Sequence, residues 1–453
     1  MFDRSLMRKA FVSLFLFGVI AATWCASCGA LDRQPNADYR GRRQALAKKA
    51  QGVIVLFAPT EHSAGDAIYG FRQEDNFYYL SGLTEPGTAL AIASAEDAKG
   101  DVPARPYTEI LFLPARNMIQ EKWTGPKLGP ENADAARITG FDRVAEMGTL
   151  PEEVAKLLPA VRPSVYTDVS TRGETSASAE PIAFLKRTNS YLSFQDVKPM
   201  LMSLRTVKDA GEAALLRKAA DASVAAHFAA FKAVKPNVSE LEIAALMQYE
   251  WGKRGCERPA YAPIVGSGYF STVLHYSENS NIMKSGDVVV IDAAGEYSMY
   301  AADITRTLPV NGHFTARQRE IYDIVLGAQE AAIAAFQSGK STLNGPDENS
   351  LHKVAKEYIA SHGKDLHGKP LDQYFIHGLS HYIGLNVHDA NDYKVSLGPG
   401  MAFTIEPGIY IPEENIGVRI EDDFYVDADG KLIKLSGALP SKAEDVEKAM
   451  AGK

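Results

Sequence analysis

Five potential metal ligands fall in order along the second half of this chain, each in or beside a short β-rich segment. They are Asp292 in VVVIDAAGEY, Asp303 in YAADITRT, His381 in HGLSHYIGL, Glu406 in FTIEPGIY and Glu421 in GVRIEDDF. A fold that gathers four carboxylates into one pocket must neutralise them, because ionised acids close together in a dry site repel strongly. Two divalent ions would balance the four charges. The donor set is mostly oxygen with one imidazole, which suits manganese, cobalt, zinc or iron better than thiolate-seeking metals. Paired metals point to hydrolytic chemistry.

The first two acids are linked by local geometry. The apolar run Val288–Ile291 ends in Asp292, and Asp303 follows eleven residues later, a spacing that fits a β-hairpin with its turn near Gly295 to Ser298. An unpaired acid at the end of so apolar a run would be costly, which favours the metal reading over two solvated strand ends. Arg419 precedes Glu421 by two residues, so in a strand both face the same way, and the guanidinium is expected to orient that carboxylate. Among ten histidines, four stand in suggestive contexts: His275, His377, His381 and His388. His377 and His381 have the spacing of a helical zinc pair, but Gly378 and β-rich surroundings oppose a helix there, so only His381 is taken as a ligand. The others are candidates for hydrogen bonding to substrate or to a tetrahedral intermediate. His62, His227, His313, His352, His362 and His367 show no such pattern and are read as structural or exposed.

The length, 453 residues, exceeds one ordinary core. With 46% hydrophobic and 23% charged residues the composition is globular, and a net charge of −8 offers no basic surface for nucleic acid. Residues 1–30 read as an export signal: Arg4, Arg8 and Lys9 precede the apolar run AFVSLFLFGVIAA, with small residues at Ser27, Gly29 and Ala30. The run is too short to span a bilayer, so cleavage without lasting membrane insertion is expected. A lipoprotein anchored at Cys28 is the alternative. The expected location is therefore outside the cytoplasm, periplasmic or secreted. The mature chain would keep Cys256 and form no internal disulfide.

Residues 31–195 alternate helical and strand-like segments and read as an α/β domain, with an exposed loop at Ser170–Glu180. Residues 196–453 differ in style. Long helices there open on capping boxes, Asp209 with Glu212, Ser239 with Glu242 and Thr315 with Gln318. The second is expected to stop at Gly255 and the third at Gly339. Short β-rich segments carry the candidate ligands, so a sheet is expected to bear the site and helices to cover it.

These residues resemble a known family, the aminopeptidase P and prolidase group of the pita-bread metallopeptidases. The resemblance rests on FRQEDNFYYLSGLTEPGTALAIA in the first half, and on VGSGYFSTVLHYSEN, the five ligand segments and LPSKAEDVEKAM in the second. It implies an α/β (α+β) protein with a creatinase-like amino-terminal domain and a pita-bread catalytic domain, and a homo-oligomer. It also implies that Asp292 chelates one metal, that His381 and Glu406 bind the other, and that Asp303 and Glu421 bridge them. The metals would be two divalent ions, manganese first, with cobalt or zinc as alternatives. A metal-bridged hydroxide would attack the carbonyl before a proline, with Glu406 handling the proton. By the same resemblance, His275 and His388 bind the substrate carbonyl or the oxyanion, His377 lines the leaving-group side, and Arg419, Tyr410 and Tyr261 support the site. Asn386 and Ala390 depart from the family's usual residues.

The activity implied is removal of the first residue from peptides with proline second. Physical chemistry supports the preference, because the bond before proline lacks the N–H that a general peptidase grips. The nearest alternative is a prolidase confined to dipeptides, which shares metals and mechanism. A methionine aminopeptidase would not explain the large amino-terminal domain. A non-catalytic binding module, or a metal-free creatinase-like hydrolase, would be expected to have lost ligands, and all five are present.

Overall fold

Three strands near the amino terminus are apolar at nearly every position, β1 (Val53–Phe57), β2 (Ala89–Ala93) and β3 (Thr108–Leu113), and such strands must be covered on both faces. The computed structural model describes residues 32–61, 68–98, 103–158, 164–169, 179–188, 191–345, 347–390, 392–393 and 395–452. The export segment with Cys25 and Cys28, His62 and most of the loop at 170–180 lie outside the described residues.

β1, β2 and β3 form the middle of a six-stranded mixed sheet with β4 (Arg143–Glu146), β5 (Ser164–Thr167) and β6 (Ser193–Asp196), in the order β4-β3-β2-β1-β5-β6. Alternation sends successive side chains to opposite faces. Val53, Val55 and Phe57 join one core with Leu150 and Val154 of the helix Leu150–Leu157. Ile54 and Leu56 join another with Leu46 of the helix Asn36–Lys49, and that core continues into Leu215, Tyr300, Ile383 and Leu385 of the second half. The two halves of the molecule therefore share buried apolar contacts. Within the first half, Arg43 is fully buried, donates to both oxygens of Glu109 at 2.7 and 3.0 Å, and lies over the Phe141 ring.

In the second half, β7 (Arg258–Pro259), β8 (Ile264–Ser267), β9 (Val288–Asp292), β10 (Gly295–Tyr297), β11 (Tyr300–Ala301) and β12 (Thr305–Pro309) make two three-stranded sheets, β12-β9-β8 and β11-β10-β7. β13 (Ala402–Ile405), β14 (Gly408–Ile411), β15 (Ile416–Arg419), β16 (Asp422–Val426) and β17 (Leu432–Lys434) add a β13-β16-β17 sheet and a β14-β15 pair. The helices Ala210–Ala233, Glu240–Gly252, Ala316–Ala335 and Leu351–Ser361 pack against them around one apolar core. All three capping boxes form, each with both reciprocal hydrogen bonds. The helix stops come earlier than the glycines suggest, at Gly252 and Ala335. Phe336 is extended and packs on Phe403, and Ser341 Oγ accepts the Gln337 N–H. Gly255 and Gly339 instead serve later turns at φ of +94° and +79°. None of the helices among the described residues is long and apolar enough to cross a membrane.

The expected hairpin is present but turns later, at Ser298–Met299, both in the left-handed region as a two-residue turn requires. Gly295 is needed for packing. A Cβ there would lie 2.7 Å from Cys256 Sγ and 3.0 Å from the Trp251 ring, so it sits inside β10 and not in the turn.

Arg43→Met leaves buried Glu109 with only the more exposed Arg40, 3.7 Å away, as a cation, which is expected to cost about 3 kcal/mol. Denaturant unfolding followed by near-ultraviolet circular dichroism measures it, and a loss below about 1 kcal/mol would show that the pair is only incidental to stability.

Candidate metal centre

Strand pairing brings the five residues together. β9 and β12 run antiparallel with Asp292 opposite Thr305, which leaves Asp303 just ahead of β12 and beside the end of β9. Thr305 in turn bridges to Glu421 through two backbone hydrogen bonds, in the gap between β15 and β16. On the far side the segment around His381 runs along β13: Thr404 N–H donates to His381 O, and Glu406 N–H to Leu379 O. The stretch from His377 to His381 is not helical.

All five residues line one cavity of about 650 Å³, together with His275, His377, His388 and Arg419. His381 Nε2 lies 3.2 Å from Asp303 Oδ2, 3.5 Å from Glu406 Oε1 and 3.9 Å from Glu421 Oε1. Donor atoms of Asp303, His381 and Glu421 all fall within 4.8 Å of one another. Two of these acids carry an oxygen, Asp303 Oδ1 and Glu421 Oε1, that is buried without a hydrogen-bond partner. Buried carboxylate oxygens without donors, converging on an imidazole nitrogen, fit a divalent cation.

Electrostatics agree with that fit. Burial, then the charges of Asp303, Glu406 and Asp292, push Glu421 well above the usual carboxylate range. Burial also raises Glu406 and Asp303. Burial alone would lower His381, but its hydrogen bond to Asp303 and the charge of Glu406 outweigh that and raise it. Without cations, the cluster can relieve repulsion only by keeping protons.

The surrounding partners are specific. Arg419, expected to orient Glu421, binds Asp292 instead: Nη2 lies 2.5 Å from Asp292 Oδ2, while Nη1 donates to Tyr410 OH and Nε to Thr305 Oγ1. The reason is that β15 ends at Arg419, so the two-residue alternation to Glu421 is lost. Tyr261 OH donates to the other Asp292 oxygen at 2.5 Å. Glu421 is held by a residue not anticipated from sequence, Thr305, whose Oγ1 donates to Glu421 Oε2 at 2.6 Å. Thr404 plays a similar part, with Oγ1 accepting from His381 N–H and lying 3.4 Å from Glu406 Oε1. Asp423 Oδ2 accepts the Asp303 N–H. Thr305 and Thr404 each stand two residues from a ligand, Thr305 after Asp303 and Thr404 before Glu406, and that spacing is the clue the sequence holds.

The histidines differ in setting. His377 Nδ1 donates to Gly378 O at 2.8 Å, so Nε2 accepts from Tyr410 OH at 2.9 Å. Burial and the Arg419 charge push it down to about 4, which keeps it neutral. The His388 ring stands edge-on to His381 with centroids 4.4 Å apart, and its partial enclosure, then the His381 and His275 charges, lower it too. His275 is exposed at the cavity wall. His227 is buried with Nε2 near two backbone carbonyls, a structural role.

The family model for metallopeptidase family M24 matches residues 214–428, and that for the aminopeptidase P, N-terminal domain matches residues 39–166. The chain is 32% identical over 439 residues to an Xaa-Pro aminopeptidase of Haemophilus influenzae, covering 92% of this chain and 97% of the relative. The chain belongs to metallopeptidase family M24. An Xaa-Pro aminopeptidase of Escherichia coli is similarly related, 33% identical over 449 residues and covering 91% and 97% of the two chains. Among solved structures of family members, proline aminopeptidase P II from Yersinia pestis superposes with a TM-score of 0.78 at 32% identity, covering 93% of this chain and all of that one. The expected two-domain α/β architecture is thus the one this family shares, and membership in M24 implies divalent metal ions.

Thr305→Val removes the hydroxyl that orients Glu421. Affinity for manganese, measured by chelator competition, is expected to fall about 10–100-fold with the fold intact. An unchanged affinity would remove Thr305 from the metal centre.

Proposed function

We propose that this enzyme is a metal-dependent Xaa-Pro aminopeptidase, releasing the first residue of peptides whose second residue is proline. The observation that carries the reading is the convergence of Asp292, Asp303, His381, Glu406 and Glu421 on one cavity. The amino-terminal aminopeptidase P domain and the relatives' names support it.

In this reading Asp292, Asp303, His381, Glu406 and Glu421 would together hold two divalent ions. The ions, manganese by preference and cobalt or zinc as alternatives, would supply Lewis acidity and a water of lowered pKa. The chain's own groups do the rest. Arg419 and Tyr261 fix Asp292 from both sides. Glu406, at the edge of the cluster, takes a proton on the attacking side and returns it to the proline nitrogen. His388 and His275 face the cavity as donors to the scissile carbonyl oxygen, and a neutral imidazole at His388 adds no charge that would compete with the cations. His377, held by Tyr410 and Gly378, lines the leaving-group side. A tertiary amide suits this site because no step described needs an N–H at the scissile nitrogen.

We extend the reading to an exported enzyme, periplasmic or secreted, on the strength of the basic and then apolar first 30 residues. We likewise assign a homo-oligomer from the resemblance to the family.

The manganese-loaded protein is expected to release alanine from Ala-Pro-Ala. Hydrolysis of Ala-Pro with no action on the tripeptide would replace this reading with a prolidase.

A further inference from the structure

His388 is carried by a segment, residues 383–390, that contains neither helix nor strand, yet a group meant to meet a carbonyl oxygen must be held to a fraction of an ångström. Its chain neighbour supplies an anchor. Asp389 is 2% exposed, and its carboxylate accepts from Arg205 Nη2 and, at 3.0 Å, from Lys208 Nζ. Both cations are buried as well, at 4% and 3% exposure. Three buried charges are expensive to assemble, and none of them lines the metal cavity.

The attachments run outward from the loop to other parts of the fold. Arg205 also donates to Asn76 Oδ1 in the first half of the chain, and Lys208 N–H donates to Gly400 O just ahead of β13. Arg72 Nη2 donates to Leu385 O at 2.6 Å. Asn386 closes the turn directly under the histidine, with Oδ1 accepting the His388 N–H at 3.1 Å. Gly384 lets the carboxylate pass, because a Cβ there would lie 2.2 Å from Asp389 Oδ2. Although burial opposes ionisation, the charges of Arg205 and Lys208 hold Asp389 below its ordinary range, so the pairing is ionic at neutral pH.

We infer that Asp389, clamped by Arg205 and Lys208, is a positioning residue for His388, through which residues 205–208 set the imidazole over the metal cavity. The inference rests on the substrate-binding role proposed above for His388. A clamp that served only to join the halves would affect activity whether or not His388 were present, and that difference separates the two roles.

The test is a double-mutant cycle on the full chain with manganese and Ala-Pro-Ala, using Asp389→Asn and Asn386→Ala, each with and without His388→Ala. Asp389→Asn is expected to lower kcat about a hundredfold with KM within about twofold, since a displaced group loses transition-state contacts first. In the His388→Ala background the further loss is expected to stay below about threefold. Asn386→Ala is expected to lose about tenfold, and this loss also vanishes without His388. In the metal-free protein, the His388 ring resonance, identified by its disappearance in His388→Ala, is expected to shift in Asp389→Asn. Equal losses in both backgrounds, or an unmoved ring resonance, would overturn the clamp. Should Asp389→Asn fail to fold, the exposed Asn386→Ala decides by the same two readouts. If the parent cleaves no Xaa-Pro peptide, the functional reading falls alone, and the ring resonance still judges the clamp.

Discussion

Mutual repulsion among four carboxylates, three of them buried and Glu406 partly buried, is the constraint around which the catalytic half of this protein is arranged. Asp292, Asp303, Glu406 and Glu421 face one cavity, and burial raises Asp303, Glu406 and Glu421 above their ordinary range. Arg419 is a buried cation bonded to the set, and it is committed to Asp292, Thr305 and Tyr410. Asp303 and Glu421 keep buried oxygens without donors. Cations from outside the chain are the neutralising partners that such an arrangement leaves room for.

Holding the acids in place is the work of strand pairing. Asp292 ends β9, Asp303 precedes β12, Glu421 is tied to Thr305 in β12, and Glu406 follows β13, so backbone hydrogen bonds set the spacing before any side chain acts. The amino-terminal half is tied to the second through arginines. Arg42 reaches Asp209 and Arg72 reaches Glu296 and Leu385, while Arg205 of the second half ties Asp389 back to Asn76. Through Arg72 and Leu385 the amino-terminal half thereby touches the loop that bears His388.

Much of the centre was legible in the sequence because its residues sit at the ends of apolar runs, where a lone acid has no ordinary explanation. VVVID and FTIE are of this kind. What could not be read are contacts that depend on where a strand stops or on residues far apart. Arg419 and Glu421 share the spacing of strand neighbours, yet β15 ends between them and the guanidinium turns to Asp292. Gly295 looks like a turn residue and is instead the site of close packing against Cys256 and Trp251. Asp389 meets Arg205 and Lys208 across separations of 184 and 181 residues, beyond the reach of any periodicity.

The central claim is that these four carboxylates and one imidazole hold a pair of metal ions. The most direct measurement is metal content per chain by inductively coupled plasma mass spectrometry, after chelation, saturation with manganese and removal of the free ion. Two ions per chain are expected; a saturating content of one, or none, would contradict a paired centre.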